Sequence, residues 1–156
     1  MHIEIRVSEA DFDVAAEYAA QRRRAGGQSG AVVSFVGLVR DHREGESVTV
    51  LELEHYPGMT ERSIEAIVQQ AEERWSLLDI TVIHRVGRLT ANDQIVFVQV
   101  ASAHRPAAFA ACEFLMDYLK TDAVFWKREE RSDGAHWIES TGDDVARRRS
   151  WDKRRS

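Results

Sequence analysis

The chain has a single cysteine, Cys112, in 156 residues. One thiol excludes an internal disulfide framework and cannot build a thiolate metal site alone. Long apolar runs are also missing: none approaches the roughly 20 residues that cross a bilayer. The opening Met1-His2-Ile3-Glu4-Ile5 has no basic stretch leading into an apolar one. A cytoplasmic location is therefore expected. There is no P-loop and no Gly-x-Gly-x-x-Gly fingerprint. The six histidines show neither His-x-x-x-His nor His-Glu-x-x-His spacing, so no metal and no cofactor are expected.

What is present fits one globular domain with a sizeable core: 44% hydrophobic and 30% charged residues. The charge is unevenly distributed. The last ten residues carry a net +5, and since the whole chain carries −5, the first 146 carry −10. An acidic body with a short basic end is a poor match for nucleic acid. Residues 1–142 read as the folded domain, and 143–156 as a basic, flexible tail.

Apolar periodicity divides the domain into alternating strands and helices. Ile3 to Val7, Ala31 to Val36, Val48 to His55, Ile80 to Val86 and Ile95 to Ala101 read as strands. Val48–His55 is expected beside Ala31–Val36, across the Asp41–Glu46 loop. Val124–Glu130 and His136–Ser140 close the chain as a strand pair around Asp133-Gly134. One helix starts from a Ser8 cap and stops at Gly26-Gly27. A second follows Thr60, with Ile64, Ile67, Val68, Ala71 and Trp75 on one face. A third begins at Pro106 and shows Ala108, Phe109, Cys112, Leu115, Met116 and Leu119 to the core. Cys112, Trp75, Trp126 and Trp137 are expected in that core. The connections are too short for most strands to be parallel, which makes this an α+β domain with a mainly antiparallel sheet.

Four positions are candidates for chemistry. Gly37-Leu38-Val39-Arg40-Asp41-His42 ends a buried strand and delivers an arginine, either to solvent or to an anion. Ser102-Ala103-His104-Arg105-Pro106 sets a histidine and an arginine at a helix start, where anions are favoured. Lys120 ends that helix, where the dipole favours a cation for structural reasons alone. Lys127 lies seven residues on, in Phe125-Trp126-Lys127-Arg128-Glu129, sharing a strand face with Phe125 and Glu129. An edge-strand lysine that discourages aggregation is its plainest reading. Taken together, Arg40, Arg105, Lys120 and Lys127 offer four cations to one pocket, which suits an anionic, phosphorylated small molecule. Crowded cations also lower a lysine's pKa, opening proton transfer or nucleophilic attack to one of the pair.

These segments jointly resemble the large, catalytic subunit of the molybdopterin synthase family. The match covers Gly30 to His42, Leu53 to Glu61, Val82 to Gly87, Ser102 to Arg105, Met116 to Thr121 and Phe125 to Glu129, in the family's order. The resemblance implies an α/β hammerhead fold. It implies a sulfurtransferase that converts cyclic pyranopterin monophosphate to dithiolene molybdopterin, in molybdenum cofactor biosynthesis. The sulfur donor it implies is a small ubiquitin-like subunit with a C-terminal thiocarboxylate, and the assembly a heterotetramer built on a homodimer of large subunits. By motif, Lys120 and Lys127 match the essential lysines. Arg40, His104 and Arg105 match the substrate pocket, with Leu38, Val39, Arg128 and Glu129 adjoining. Leu38 departs from members with lysine there, a loss that Arg43 or Arg128 would have to offset. A docking module for a ubiquitin-like tail, or a stand-alone enzyme on another phosphorylated metabolite, are the rival readings.

Overall fold

β-Branched runs become strands and the apolar helical stripes become helices, with additions that periodicity does not announce. The computed structural model describes residues 1–43, 46–131, 134–138 and 140–153, excepting the side chains of 42–43, 46–49, 131 and 136–138. The first sheet runs β1 (His2–Ser8), β5 (Asp79–Arg85), β7 (Gln94–Ser102) and β2 (Ala31–Leu38), in that spatial order. Only its β1–β5 pair is parallel. In the second sheet β4 (Glu46–His55) pairs with β3 (His42–Arg43), β6 (Gly87–Thr90) and β8 (Phe125–Arg131), and β8 pairs with β9 (Gly134–Ile138), all antiparallel. Glu44, Gly45, Asp133 and Glu139, parts of the expected loop, turn and last strand, lie outside the described residues.

The expectation that Val48–His55 neighbours Ala31–Val36 is overturned, because β2 and β4 belong to different sheets. The register of β2 shifts between Gly37 and Leu38. Val39 is then tied to the Asn92–Asp93 turn: its N–H donates to the Asp93 carbonyl, and its own carbonyl accepts from Asn92 N–H. That clamp turns the chain out of the first sheet towards the second.

Three helices cover the first sheet. α1 (Val14–Ala25) is capped by Asp13, whose carboxylate accepts from Ala16 N–H, rather than by Ser8. Ser8 is still the last residue of β1. Gly26, at φ +56°, ends α1 as expected. α2 (Met59–Arg74) and α3 (Arg105–Leu119) bury Ile64, Ile67, Val68, Ala71, Phe114 and Leu115 against Ile80, Val82, Val98 and Val100. Each of these apart from Ala71 contributes about 1.5–3 kcal/mol of burial. Cys112 joins this core, and burial pushes its thiol up to about 12. Two expected core residues are outside it. Phe109 is 61% exposed, because the buried face of α3 is carried instead by Ala111, Phe114 and Tyr118. Trp126 is 52% exposed, its indole N–H donating to the Tyr56 hydroxyl. The Trp137 side chain lies outside the described residues.

The reading of 143–156 as a flexible tail is corrected as far as residue 153. Residues Gly142–Lys153 form α4. Trp151 is buried, edge-on to both Trp75 and Phe114, and its indole N–H donates to the Asp117 carboxylate at 2.7 Å. Arg148 pairs with Asp122 and lies over the Tyr118 ring. One large apolar side chain and one arginine matched to an acidic partner dock an otherwise basic segment. Residues 154–156 lie outside the described set. Among the described residues no helix is long and apolar enough to cross a membrane.

Candidate active site

A cavity of about 430 Å³ opens where the end of β2, the end of α3 and one face of β8 come together. Gly37, Leu38, Val39 and Arg40 supply one wall, and Met116, Leu119 and Lys120 a second. Lys127 and Glu129 on β8, with Leu51 and Leu53 on β4, supply a third, and His84 of β5 also lines it, beside apolar residues of β2 and β7. Gly37 is demanded by packing: a Cβ there would sit 2.7 Å from Val96 Cγ1 and 3.3 Å from the Phe35 ring.

Lys120 is the C-cap of α3, its N–H donating to Met116 and its carbonyl accepting from Ser140 Oγ at 2.8 Å. The dipole explanation and the pocket explanation for this lysine both hold, since the helix end is the pocket wall. Lys127 and Glu129 share the inner face of β8 by its period of two. Glu129 is buried there. Arg40, Lys120 and Lys127 thus meet one lining carboxylate, and the cavity is cationic within an acidic body.

Not every expected residue is in the cavity. Arg128 projects from the opposite face of β8, 3.6 Å from Glu52 and 4.0 Å from Glu130, and Arg88 lies 3.2 Å from Glu130. It cannot offset the missing cation at Leu38, and the Arg43 side chain lies outside the described residues. His104 and Arg105 are exposed at the other end of the 15-residue α3. At 1.5 Å per residue that is roughly 22 Å from Lys120. Within one chain they do not line this cavity.

His84 is the site residue that motif reading passed over. It is buried on β5, with its ring stacked on Phe125 at 4.1 Å between centroids and Nδ1 2.8 Å from the Arg85 carbonyl oxygen. Burial pushes its pKa down to about 3, and the charges of Lys127 and Lys120 add to the fall, against the Arg85 carbonyl, which favours the cation. The available signal was a histidine directly after the aliphatic pair Val82-Ile83, in a strand that is buried almost throughout. Among the described residues no group of three or more His, Cys, Asp or Glu side chains converges as metal ligands.

Fold and site define a two-sheet α+β protein with a cavity lined by three cations and one carboxylate. The chain belongs to the MoaE protein family, whose sequence pattern it matches over residues 7–122. It is 56% identical over 147 residues to the molybdopterin synthase catalytic subunit of Ralstonia nicotianae, covering 94% of this chain and 83% of that one. The same subunit of Vibrio cholerae is 53% identical over 148 residues, with 95% and 97% covered. Among solved structures, the molybdopterin biosynthesis MoaE protein of Burkholderia ambifaria superposes with a TM-score of 0.80 at 48% identity, covering 97% of this chain and 99% of that one.

Proposed function

We propose that the chain is the catalytic subunit of a molybdopterin synthase. It converts cyclic pyranopterin monophosphate to dithiolene molybdopterin with sulfur from the C-terminal thiocarboxylate of a small ubiquitin-like subunit, in the cytoplasm. One observation carries this reading: Lys120 and Lys127, on different elements, line the same cavity as Arg40. A phosphorylated pterin and an incoming carboxyl-terminal tail both bring negative charge to that cavity, and the three cations favour both. The high identity to relatives named as catalytic subunits supports the reaction and the need for a second subunit.

In each transfer the thiocarboxylate sulfur attacks a pterin side-chain carbon to form a thioester, and the oxygen on that carbon leaves as water or as a phosphate oxygen. Water then hydrolyses the thioester to free the substrate thiol and the tail carboxylate. Sulfur replaces oxygen on the substrate, and oxygen replaces sulfur on the tail. Lys120 acts beside the reacting carbon as proton donor or transient covalent partner, and Lys127 moves protons or holds the phosphate. Arg40 anchors the anion, with Leu38 and Val39 shaping the wall and Glu129 holding the lysine side of the pocket. A homodimer reconciles the two ends of α3, with the second copy bringing its His104 and Arg105 to this cavity. One small subunit on each large subunit then makes the heterotetramer.

The test is single-turnover formation of dithiolene from the pterin precursor and a preloaded, thiocarboxylated small subunit. Wild-type protein produces it and Lys120→Ala loses it. Partner binding without product, or product without the partner, overturns the proposal.

A further inference from the structure

His84 lines the cavity, yet neither the anion binding nor the lysine chemistry just described uses it. Its surroundings fix its tautomer, its charge and its orientation. A carbonyl oxygen only accepts, so the 2.8 Å contact with Arg85 puts the ring proton on Nδ1. Burial beside Lys120 and Lys127 keeps the ring neutral at pH 7. The stack on Phe125, 27° from parallel, holds the ring against rotation. Nε2 is left with a lone pair and no hydrogen-bond partner among the described residues. Among the described residues the buried side-chain nitrogens that lack partners belong to Arg74 and Arg128, not to His84, which lines the cavity and so has Nε2 available to a bound molecule.

The pocket thus contains one neutral acceptor among charged neighbours. A carboxylate in the same place would repel an anionic substrate and pair with the lysines. A neutral imidazole does neither and still reads a donor. We propose that His84 Nε2 accepts a hydrogen bond from an N–H or O–H of the pterin substrate and so orients the ring system between Lys120 and Lys127. This rests on the reading of the cavity as a pterin site. The stack on Phe125 also joins β5 to β8 across the two sheets, so a structural role has to be separated from the orienting one.

Three variants separate the roles in the assembled synthase, with the small subunit thiocarboxylated. His84→Gln keeps an acceptor at the position of Nε2, His84→Asn keeps only the donor to Arg85, and His84→Phe keeps only the ring. Loss of one such bond is expected to raise KM about tenfold in the Asn and Phe variants, while Gln stays within about threefold of wild type. A purely structural role instead tracks thermal stability and spares the ring-preserving Phe variant. Wild-type protein supplies a reading that needs no variant: the ¹⁵N resonance of His84 Nε2 is that of a lone-pair nitrogen at pH 7 and moves when the pterin precursor is added without a sulfur donor. A protonated Nε2, a resonance unmoved at saturating precursor, or Asn and Phe variants with wild-type KM overturns the inference. Turnover by wild type with an unmoved His84 resonance removes this inference alone. Wild-type protein that neither binds nor converts the pterin removes the functional reading with it.

Discussion

The two faces of β8 use the same residue types to opposite ends. Outwards, Arg128 lies between Glu52 and Glu130, and Arg88 reaches the same two carboxylates, so charge is matched by charge. Inwards, Lys127 joins Arg40 and Lys120 over a cavity whose lining offers one carboxylate, Glu129. Exposed ion pairs of the outer kind contribute about 0–1 kcal/mol each. The inner arrangement lines a cavity and so suits an incoming anion. A cation's meaning in this fold therefore depends on which side of one strand it leaves.

That contrast is broken most directly at the lysines. Lys120→Ala and Lys127→Ala are expected to slow single-turnover sulfur transfer at least about 100-fold, some 2.7 kcal/mol of barrier, with little change in melting temperature. Near-normal rates in either would remove that lysine from the chemistry.

The next effect belongs to the neutral member of the inner face. His84, facing Lys120, Lys127 and Glu129, titrates near 3 in the folded chain and near 6.5 when unfolded. Between those values the unfolded chain binds the proton and the folded chain does not, so stability is complete above pH 6.5 and falls as the pH drops. Denaturant titrations from pH 6.5 to pH 5 should lose about 2 kcal/mol from this group. His84→Phe should flatten that slope, and an unchanged slope would assign it elsewhere.

Adding charge sharpens the comparison further. Leu38→Lys places a fourth cation at the cavity rim and should lower KM for the phosphorylated precursor about threefold to tenfold, with the gain shrinking in high salt. The smallest effect is expected outside. Arg128→Ala should change stability by less than about 1 kcal/mol, and transfer rates about twofold or less. If it matches Lys127→Ala, the two faces are not distinct.

Sequence reading was strongest where local pattern and tertiary demand agree. The stripe from Ile64 to Ala71, the aliphatic strand from Ile80 and the Gly26 stop all reappear in the fold. The lysine pair was visible because lysine in aromatic sequence conflicts with ordinary burial. Arg128 was drawn into the pocket by adjacency in a motif, although the two-residue period that groups Lys127 with Glu129 sends Arg128 the other way. His84 was invisible for the opposite reason: burial makes it neutral, and a neutral histidine in a buried strand looks like core. The docking of α4 rests on single long-range contacts of Trp151 and Arg148, which leave no periodic trace.

Gly37 carries a consequence for how this pocket changes over generations. Any replacement brings a Cβ to 2.7 Å from Val96, a stiff β-branched side chain itself held in the sheet. Substitution at Gly37 therefore becomes accessible only after Val96 has been trimmed, and Val96→Ala alone leaves a void that destabilises the chain until it is filled. The two positions form an ordered pair in mutational history, and a library that varies one at a time will find neither route.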